Sequence, residues 1–388
     1  MIKRGVWLLS LAALLCCGCL YVYHEPPDQM PEAQARPTGL PGHGEAIWAD
    51  APARRGGALA VDSETFVRLA EKANPAVVNI FSTKRVRTAV GLGLFAIRTP
   101  NLDLNAQALG TGFFISADGF VVTNAHVVAG ADEIKIFYWR ENQVKTARLI
   151  GFDATSDLAL LKVEEVQATP YLLLADSDAV RVGEMVVAIG NPFGLDHSLT
   201  NGLISAKHRR LHEGGQGLYE DFLQTSAQIN PGNSGGPLLD LNGAVVGVNT
   251  AIVEGGQAIG FAVPSNLLRE VLPHLVRTGG VRPAYVGAKV SDPAPDFAAG
   301  QGVNGGALVT GVSSPSPALD AGLRAGDVLL EINGRPVYDA PAATRTLRLL
   351  IVGRPAQLTV LRERRRVHLS LVPADAASAT LQRGQTPD

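Results

Sequence analysis

Asn230-Pro231-Gly232-Asn233-Ser234-Gly235-Gly236-Pro237 is the stretch on which the reading of this chain turns. A serine set among glycines can push its hydroxyl into a cleft while the backbone N–H groups beside it converge on one point. Acyl transfer needs both, a nucleophile and donors for the oxyanion of the tetrahedral intermediate. Gly232 allows a backbone conformation that a side chain would forbid. The N–H groups of Gly232 and Ser234, with Asn233 between them, therefore read as an oxyanion hole. Gly235 and Gly236 let a substrate strand come close. The plainer reading is a Gly/Ser turn with no chemistry.

A serine hydroxyl needs a base, and the base needs an orienting carboxylate. Thr123-Asn124-Ala125-His126-Val127-Val128 places a histidine directly after a strand pattern. A lone histidine is more often structural than catalytic. Asp153-Ala154-Thr155-Ser156-Asp157 leads into the apolar run Leu158-Ala159-Leu160-Leu161, so Asp157 stands at the buried entry of a strand. A lone aspartate there is usually a turn residue. Asp153 competes for the role but lies further from the strand. The weight comes from the combination. The chain order His126, Asp157, Ser234, each beside a strand, is the order of the chymotrypsin-like barrels. No metal or organic cofactor is implied.

The surrounding pattern agrees. From Val77 to Val263 the chain reads as short strands separated by glycine-marked turns, with hairpin signals at Asp118-Gly119 and Asn242-Gly243. Many short strands over this length point to one barrel or two. Thr83 to Leu109 shows no clear period and reads as a long surface loop. Ser63 reads as the cap of a helix ended by Pro75, and Asn266 to Thr278 as a second helix stopped by Gly279-Gly280. A smaller domain follows over 284–374, with strands at Ala307 to Val312, Val328 to Ile332 and Gln357 to Leu361. Arg362 to Arg366 reads as a solvated hairpin tip. Residues 375–388 read as a disordered tail.

Composition sets limits. The net charge of −2 over 388 residues argues against a nucleic-acid partner. The three cysteines, Cys16, Cys17 and Cys19, all lie near the start, so the body holds no internal disulfide. Lys3 and Arg4 precede an uncharged run from Gly5 to Tyr23, about the 20 residues that a membrane-crossing helix takes. Residues 1–23 therefore read as a signal anchor, with the remainder exported to the periplasm. A cleaved signal peptide and a lipoprotein modified at Cys19 are the alternatives. Residues 24–62, rich in Pro, Gly and Ala, read as a flexible linker.

Six segments carry a resemblance to the HtrA/Deg serine proteases: Gly110-Thr111-Gly112-Phe113, the His126 segment, Asp157 to Lys162, Gly190-Asn191-Pro192-Phe193-Gly194, Gly232 to Gly236, and Ile259 to Pro264. The resemblance implies a mostly β chain: a chymotrypsin-like double β-barrel protease domain over 63–275, followed by a PDZ domain. It implies that Asn230, Ile259, Gly260 and Phe261 shape the pocket for the residue before the cleaved bond. None is charged, which favours a small aliphatic residue there. Arg209, in Ser205-Ala206-Lys207-His208-Arg209, matches the regulatory arginine of the family's sensor loop, although His208 stands where the pattern has glycine. Two more departures are Ser226, where the pattern has Asp, and Gln228, where it has Ala.

The PDZ resemblance rests on Tyr285-Val286-Gly287, on Gly322 to Leu329 and on Ile332-Asn333-Gly334. Such a domain adds a peptide strand to a sheet edge and holds its terminal carboxylate with backbone N–H groups, here those around Val286 and Gly287. With one PDZ domain and a membrane segment, the chain is most similar to the DegS-like branch. That implies a stress-sensing endopeptidase, opened by C-terminal peptides of misfolded envelope proteins and cutting a membrane-bound regulatory protein. General clearance of unfolded envelope proteins is the rival within the class, and a chaperone-like scaffold the rival outside it. A homotrimer is implied, with Phe66, Phe81 and the region of Phe95 as contact candidates.

Overall fold

The computed structural model describes residues 46–52, 61–87, 103–138, 143–164, 166, 168–190, 198–211, 219–230, 232–252, 259–301 and 305–376. The expected signal anchor and Phe95 lie outside them. Among the described residues no helix is long and apolar enough to cross a membrane.

Two closed six-stranded barrels follow one another. The first holds β1 (Val77–Arg87), β2 (Asp103–Phe114), β3 (Phe120–Thr123), β4 (Glu133–Tyr138), β5 (Gln143–Asp153) and β6 (Leu158–Val163). The second holds β7 (Met185–Gly190), β8 (Ser198–Leu211), β9 (Tyr219–Thr225), β10 (Pro237–Asp240), β11 (Val245–Ile252) and β12 (Gly260–Pro264). The ring orders are β1-β2-β3-β6-β5-β4 and β7-β8-β9-β12-β11-β10, the same circuit twice. Helix α1 (Ser63–Ala73) precedes the first barrel, the single turn α2 (Ala125–Val128) follows β3, and α3 (Ser265–Thr278) follows the second barrel.

Strand alternation explains why these segments are apolar on both faces. Phe114, Val121 and Leu161 belong to one buried cluster of the first barrel. Their neighbours Phe113, Val122 and Leu160 belong to another, which joins both barrels to α1 and α3. The second barrel has its own cluster around Val186, Leu223, Leu238 and Val246. The strands leading to the site are thus gripped from two sides.

The C-terminal domain has a core of its own. Its sheet runs β14 (Ala288–Ser291), β15 (Ala307–Val312), β16 (Val328–Ile332), β18 (Ala356–Arg362), β19 (Arg365–Leu371), with β17 (Arg335–Pro336) beside β16. β13 (Ala284–Tyr285) pairs with β20 (Ala374–Asp375). Helices α4 (Pro295–Gln301), α5 (Pro317–Asp320) and α6 (Ala340–Arg348) complete it. β14 is an edge strand, and the Asp292 carboxylate just beyond it accepts the Ala340 N–H at the start of α6.

Several expectations need correction. The segment Thr83 to Leu109 is not a bare loop: β1 and β2 pair from Val77↔Phe113 out to Arg87↔Asp103. The polar run Thr83-Lys84-Arg85 hid the outer half of β1. Residues 46–52 do not behave as linker. Ile47 is buried, Ala51 and Leu174 are joined by a backbone hydrogen bond, and Asp50 pairs with Arg269 at 2.6 Å. Helix α1 is capped by Asp62, one residue before Ser63, through a reciprocal box with Thr65. Asp375 belongs to β20, not to a tail. Arg362 leaves the solvated tip and forks onto Asp327, 1% exposed, at 2.7 and 2.8 Å.

Candidate active site

Each site residue stands where a strand ends or begins. His126 sits on α2, at the end of β3; Asp157 opens β6; Ser234 lies in the loop before β10. His126 Nδ1 is 2.8 Å from Asp157 Oδ2 and 3.0 Å from Oδ1, and the His126 main-chain N–H donates to Oδ1 at 3.0 Å. Asp157 is 5% exposed, whereas half the His126 side chain is open to solvent. Burial of the imidazole disfavours its charged form, but the Asp157 hydrogen bond and charge outweigh that and raise its pKa above the ordinary 6.5. Asp157 itself has φ 53°, a left-handed conformation that a non-glycine residue enters at a cost. Its carbonyl is held there by Asn124 Nδ2 at 2.9 Å and by the Ala125 N–H at 3.1 Å. Asp153, the competitor, is occupied in the turn: it accepts the N–H and hydroxyl of Ser156 at 2.8 and 2.7 Å.

Sequence reasoning missed Thr250. This residue of β11 donates its hydroxyl to Asp157 Oδ2, and its carbonyl accepts the Ser234 hydroxyl at 3.2 Å. One threonine therefore links carboxylate to serine across the two barrels. Among the described residues no hydrogen bond joins Ser234 to His126, so Oγ must swing off Thr250 to reach the imidazole. Such bonds are often unformed until substrate arrives.

The serine loop is braced from below. Asn233 donates its side-chain amide to Gln228 O at 3.0 Å, accepts the Asn230 N–H on Oδ1 at 3.0 Å, and gives its own N–H to Asn230 O at 3.1 Å. Its N–H is thereby committed to the loop, which corrects its assignment to the oxyanion hole. The N–H groups of Gly232 and Ser234 meet no acceptor among the described residues. Gly235, at φ 82°, packs so tightly that a Cβ there would strike the Thr111 carbonyl and the Thr123 hydroxyl. The Thr111 N–H donates to Ser234 O at 3.0 Å. Of the two departures, Ser226 carries its own support, its Oγ accepting the Leu203 N–H at 2.9 Å; Gln228 is exposed, and the Asn233 amide meets its backbone carbonyl, which any residue there would supply.

The chain resembles known proteins over this same span. Residues 110–248 match a family model described as a trypsin-like peptidase domain, and 284–372 match one described as a PDZ domain. A "Probable periplasmic serine endoprotease DegP-like" of Pseudomonas putida (strain W619) is 39% identical over 334 residues, which cover 79% of this chain and 69% of that one. A protein of the same name in Pseudomonas fulva (strain 12-X) is 38% identical, over 80% of this chain and 71% of its own. The chain belongs to the HtrA/Deg family of serine proteases. Solved relatives include the HtrA-type protease AlgW with a decapeptide and with a tripeptide. Both are 35% identical and match 80% of this chain, with TM-scores of 0.55 and 0.57, over 98% and 96% of the solved chains.

Of the pocket residues expected in this HtrA/Deg protease, Asn230 is exposed and Ile259 half-buried. The Phe261 ring turns into the core, edge-on to Phe222 at 6.0 Å. Gly260 lies so near Ile229 that a side chain would collide with it. In the PDZ domain Tyr285, Val286 and Gly287 lead into the edge strand β14. The carbonyls of Val286 and Gly287 accept from Ala318 and Ser313 at 2.9 and 2.7 Å. Their own N–H groups have no acceptor among the described residues. Gly287, at φ 81°, faces Ser316 too closely to admit a Cβ.

A second histidine–aspartate pair, also missed, lies where the domains meet. His208 Nδ1 is 2.7 Å from Asp221 Oδ1, and Asp221 Oδ2 is 2.8 Å from Arg345 on α6 of the PDZ domain. The His208 ring faces Tyr338 at 5.3 Å. Both members have positive φ, 55° and 84°, which explains a glycine preference at position 208. The Asp221 hydrogen bond raises the His208 pKa above 6.5. Burial alone would raise that of Asp221, but His208 and Arg345 together hold it below 3.8. Arg209, next along β8, donates to Gln224 Oε1 at 3.0 Å. It thus reaches β9 just before the Thr225–Asn230 segment that leads to the serine loop.

Proposed function

We propose that this serine endopeptidase attacks peptide carbonyls with Ser234. His126 takes the hydroxyl proton and returns it to the leaving amine. Asp157 fixes the imidazole tautomer and stabilises the imidazolium. The N–H groups of Gly232 and Ser234 receive the oxyanion, and Arg209 couples the serine loop to its regulation. The observation that carries this reading is the chain of contacts His126–Asp157–Thr250–Ser234, which spans both barrels.

The PDZ domain is proposed to bind C-terminal peptides along β14, with the carboxylate at Val286 and Gly287. Two solved relatives carry peptides, which supports a peptide as regulator or substrate. The names of the curated relatives support a periplasmic location. The uncharged run from Gly5 to Tyr23 supports tethering to the inner membrane and a membrane-bound regulatory protein as substrate. The DegP-like names of those relatives favour a second reading, broad clearance of unfolded proteins. A homotrimer remains part of the proposal, although Phe66 already packs against the chain's own core.

The test is cleavage of an unfolded protein by the full chain, with and without added C-terminal peptides, beside a Ser234→Ala control. The regulatory reading expects low basal cleavage that rises several-fold with peptide. Rapid peptide-independent cleavage would favour clearance, and cleavage that survives in Ser234→Ala would sink the catalytic assignment.

A further inference from the structure

Between the protease and PDZ domains lies a cavity of about 200 Å³. Its floor is apolar: Phe222 and Val263 from the second barrel, Leu267 and Val271 from α3. Val281 and Leu349 close its sides. Thr155, Thr344 and Arg348 are exposed, so the mouth opens to water between the Asp153–Ser156 turn and α6. An engineered apolar cavity of about 150 Å³ holds a benzene ring and stays dry when empty. This one is larger, but it opens to water on one side and carries polar residues along its rim.

The rim is chemically lopsided. On the α6 side stand two guanidinium groups. Arg348 has no acceptor among the described residues, and the Arg345 Nε N–H is buried without one. The other end of Arg345 is already tied to Asp221. On the opposite side the Asp153 carboxylate accepts two hydrogen bonds from Ser156. A guanidinium fork with free N–H groups selects a carboxylate. Asp153 repels any anion, a carboxylate less than a phosphate dianion, so the acid group is expected on the Arg348 side of the rim. The aliphatic floor takes a hydrocarbon chain.

We propose that this cavity binds a medium-chain fatty acid, its chain against Leu267, Val271 and Phe222 and its carboxylate on the exposed Arg348 guanidinium. The occupant touches α6 of the PDZ domain and the turn that ends at Asp157. It bridges the two domains at the base of the catalytic carboxylate.

The test is calorimetric titration of the full chain in detergent with octanoate, and with 1-octanol as the uncharged analogue. Arg348→Gln removes the free guanidinium from an exposed position, and Thr344→Trp fills the mouth. Both variants carry the same micelle, so partition into detergent cancels in the difference. Thermal unfolding midpoints within a few degrees of the parent establish that they fold. The proposal expects saturable binding of one octanoate per chain, at least tenfold weaker in Arg348→Gln and abolished in Thr344→Trp, with no saturable binding of 1-octanol. Binding that is absent from the parent, that survives either substitution, or that 1-octanol reproduces would overturn it.

Discussion

The chain contains two histidine–aspartate pairs of nearly the same geometry. His126 meets Asp157 at 2.8 Å and His208 meets Asp221 at 2.7 Å; each uses Nδ1, and both aspartates sit at positive φ. What separates them is the third partner. The Asp157 Oδ2 that meets His126 also accepts the Thr250 hydroxyl, and the Thr250 carbonyl holds the serine. Asp221 turns its other side to Arg345, which belongs to the other domain. A hydroxyl leaves the imidazole poised to accept a proton for a nucleophile. A guanidinium makes the same carboxylate a clamp. The aspartate–imidazole unit is therefore not a catalyst by itself, because chemistry enters with the group beyond it.

The contrast breaks most visibly at the nucleophile. Ser234→Ala is expected to lower peptide hydrolysis by about a million-fold, by analogy with removal of the triad serine in other serine proteases. His208→Ala should leave cleavage of a short peptide within about threefold, as an imidazole outside the chemistry must. Next in size is Asp157→Asn, with an expected loss of about 10⁴ in kcat. Its pH profile sharpens the point. Neutral His126 is the base, so activity should rise as pH climbs through the His126 pKa, which lies above 6.5. The substitution should move that midpoint down, as seen in a kcat/KM profile. Thr250→Val removes one hydrogen bond to a buried carboxylate, a change of about 1.5–3 kcal/mol and so roughly 10–150-fold in kcat. Restoration of most of the rate by Thr250→Ser would separate the hydroxyl from simple packing.

The clamp should respond in stability and leave the chemistry alone. His208 has a raised pKa, so its contribution is complete below 6.5 and fades as pH rises through the folded value. Asp221 has a lowered pKa, so its contribution is present above 3.8 and is lost as pH falls through its folded value. The junction is therefore tightest between those two limits. Amide exchange on β8, β9 and α6 should quicken as pH climbs above 6.5, after correction for intrinsic rates, and Asp221→Asn should remove most of that dependence. A junction equally protected at all pH values would deny the clamp.

The two pairs also differ in how far the sequence reveals them. Ser234 and Asp157 were legible because their signals are local: glycines around one, an unbroken apolar strand after the other. Their likeness to a known pattern added the order. Thr250 gave no such signal. It looks like any strand threonine, and its partner lies 93 residues away. Asp221 and Arg345 are further apart still, and nothing near either marks a salt bridge between domains. The outer halves of β1 and β2 were hidden for a related reason. Thr83-Lys84-Arg85-Val86-Arg87 holds one apolar residue in five and so carries no hydrophobic period. The docking of residues 46–52 depends on Arg269, at the far end of the catalytic domain, and on the Leu174 backbone.

The central claim is that His126, tuned by Asp157, activates Ser234. A peptidyl phosphonate that ends in a small aliphatic residue, followed by mass spectrometry of the digested full chain, tests it directly. One adduct on Ser234 is expected in the parent, formed at least a thousandfold more slowly in His126→Ala and at an unchanged rate in His208→Ala. An adduct on another residue, or labelling of Ser234 that does not depend on His126, would contradict the account.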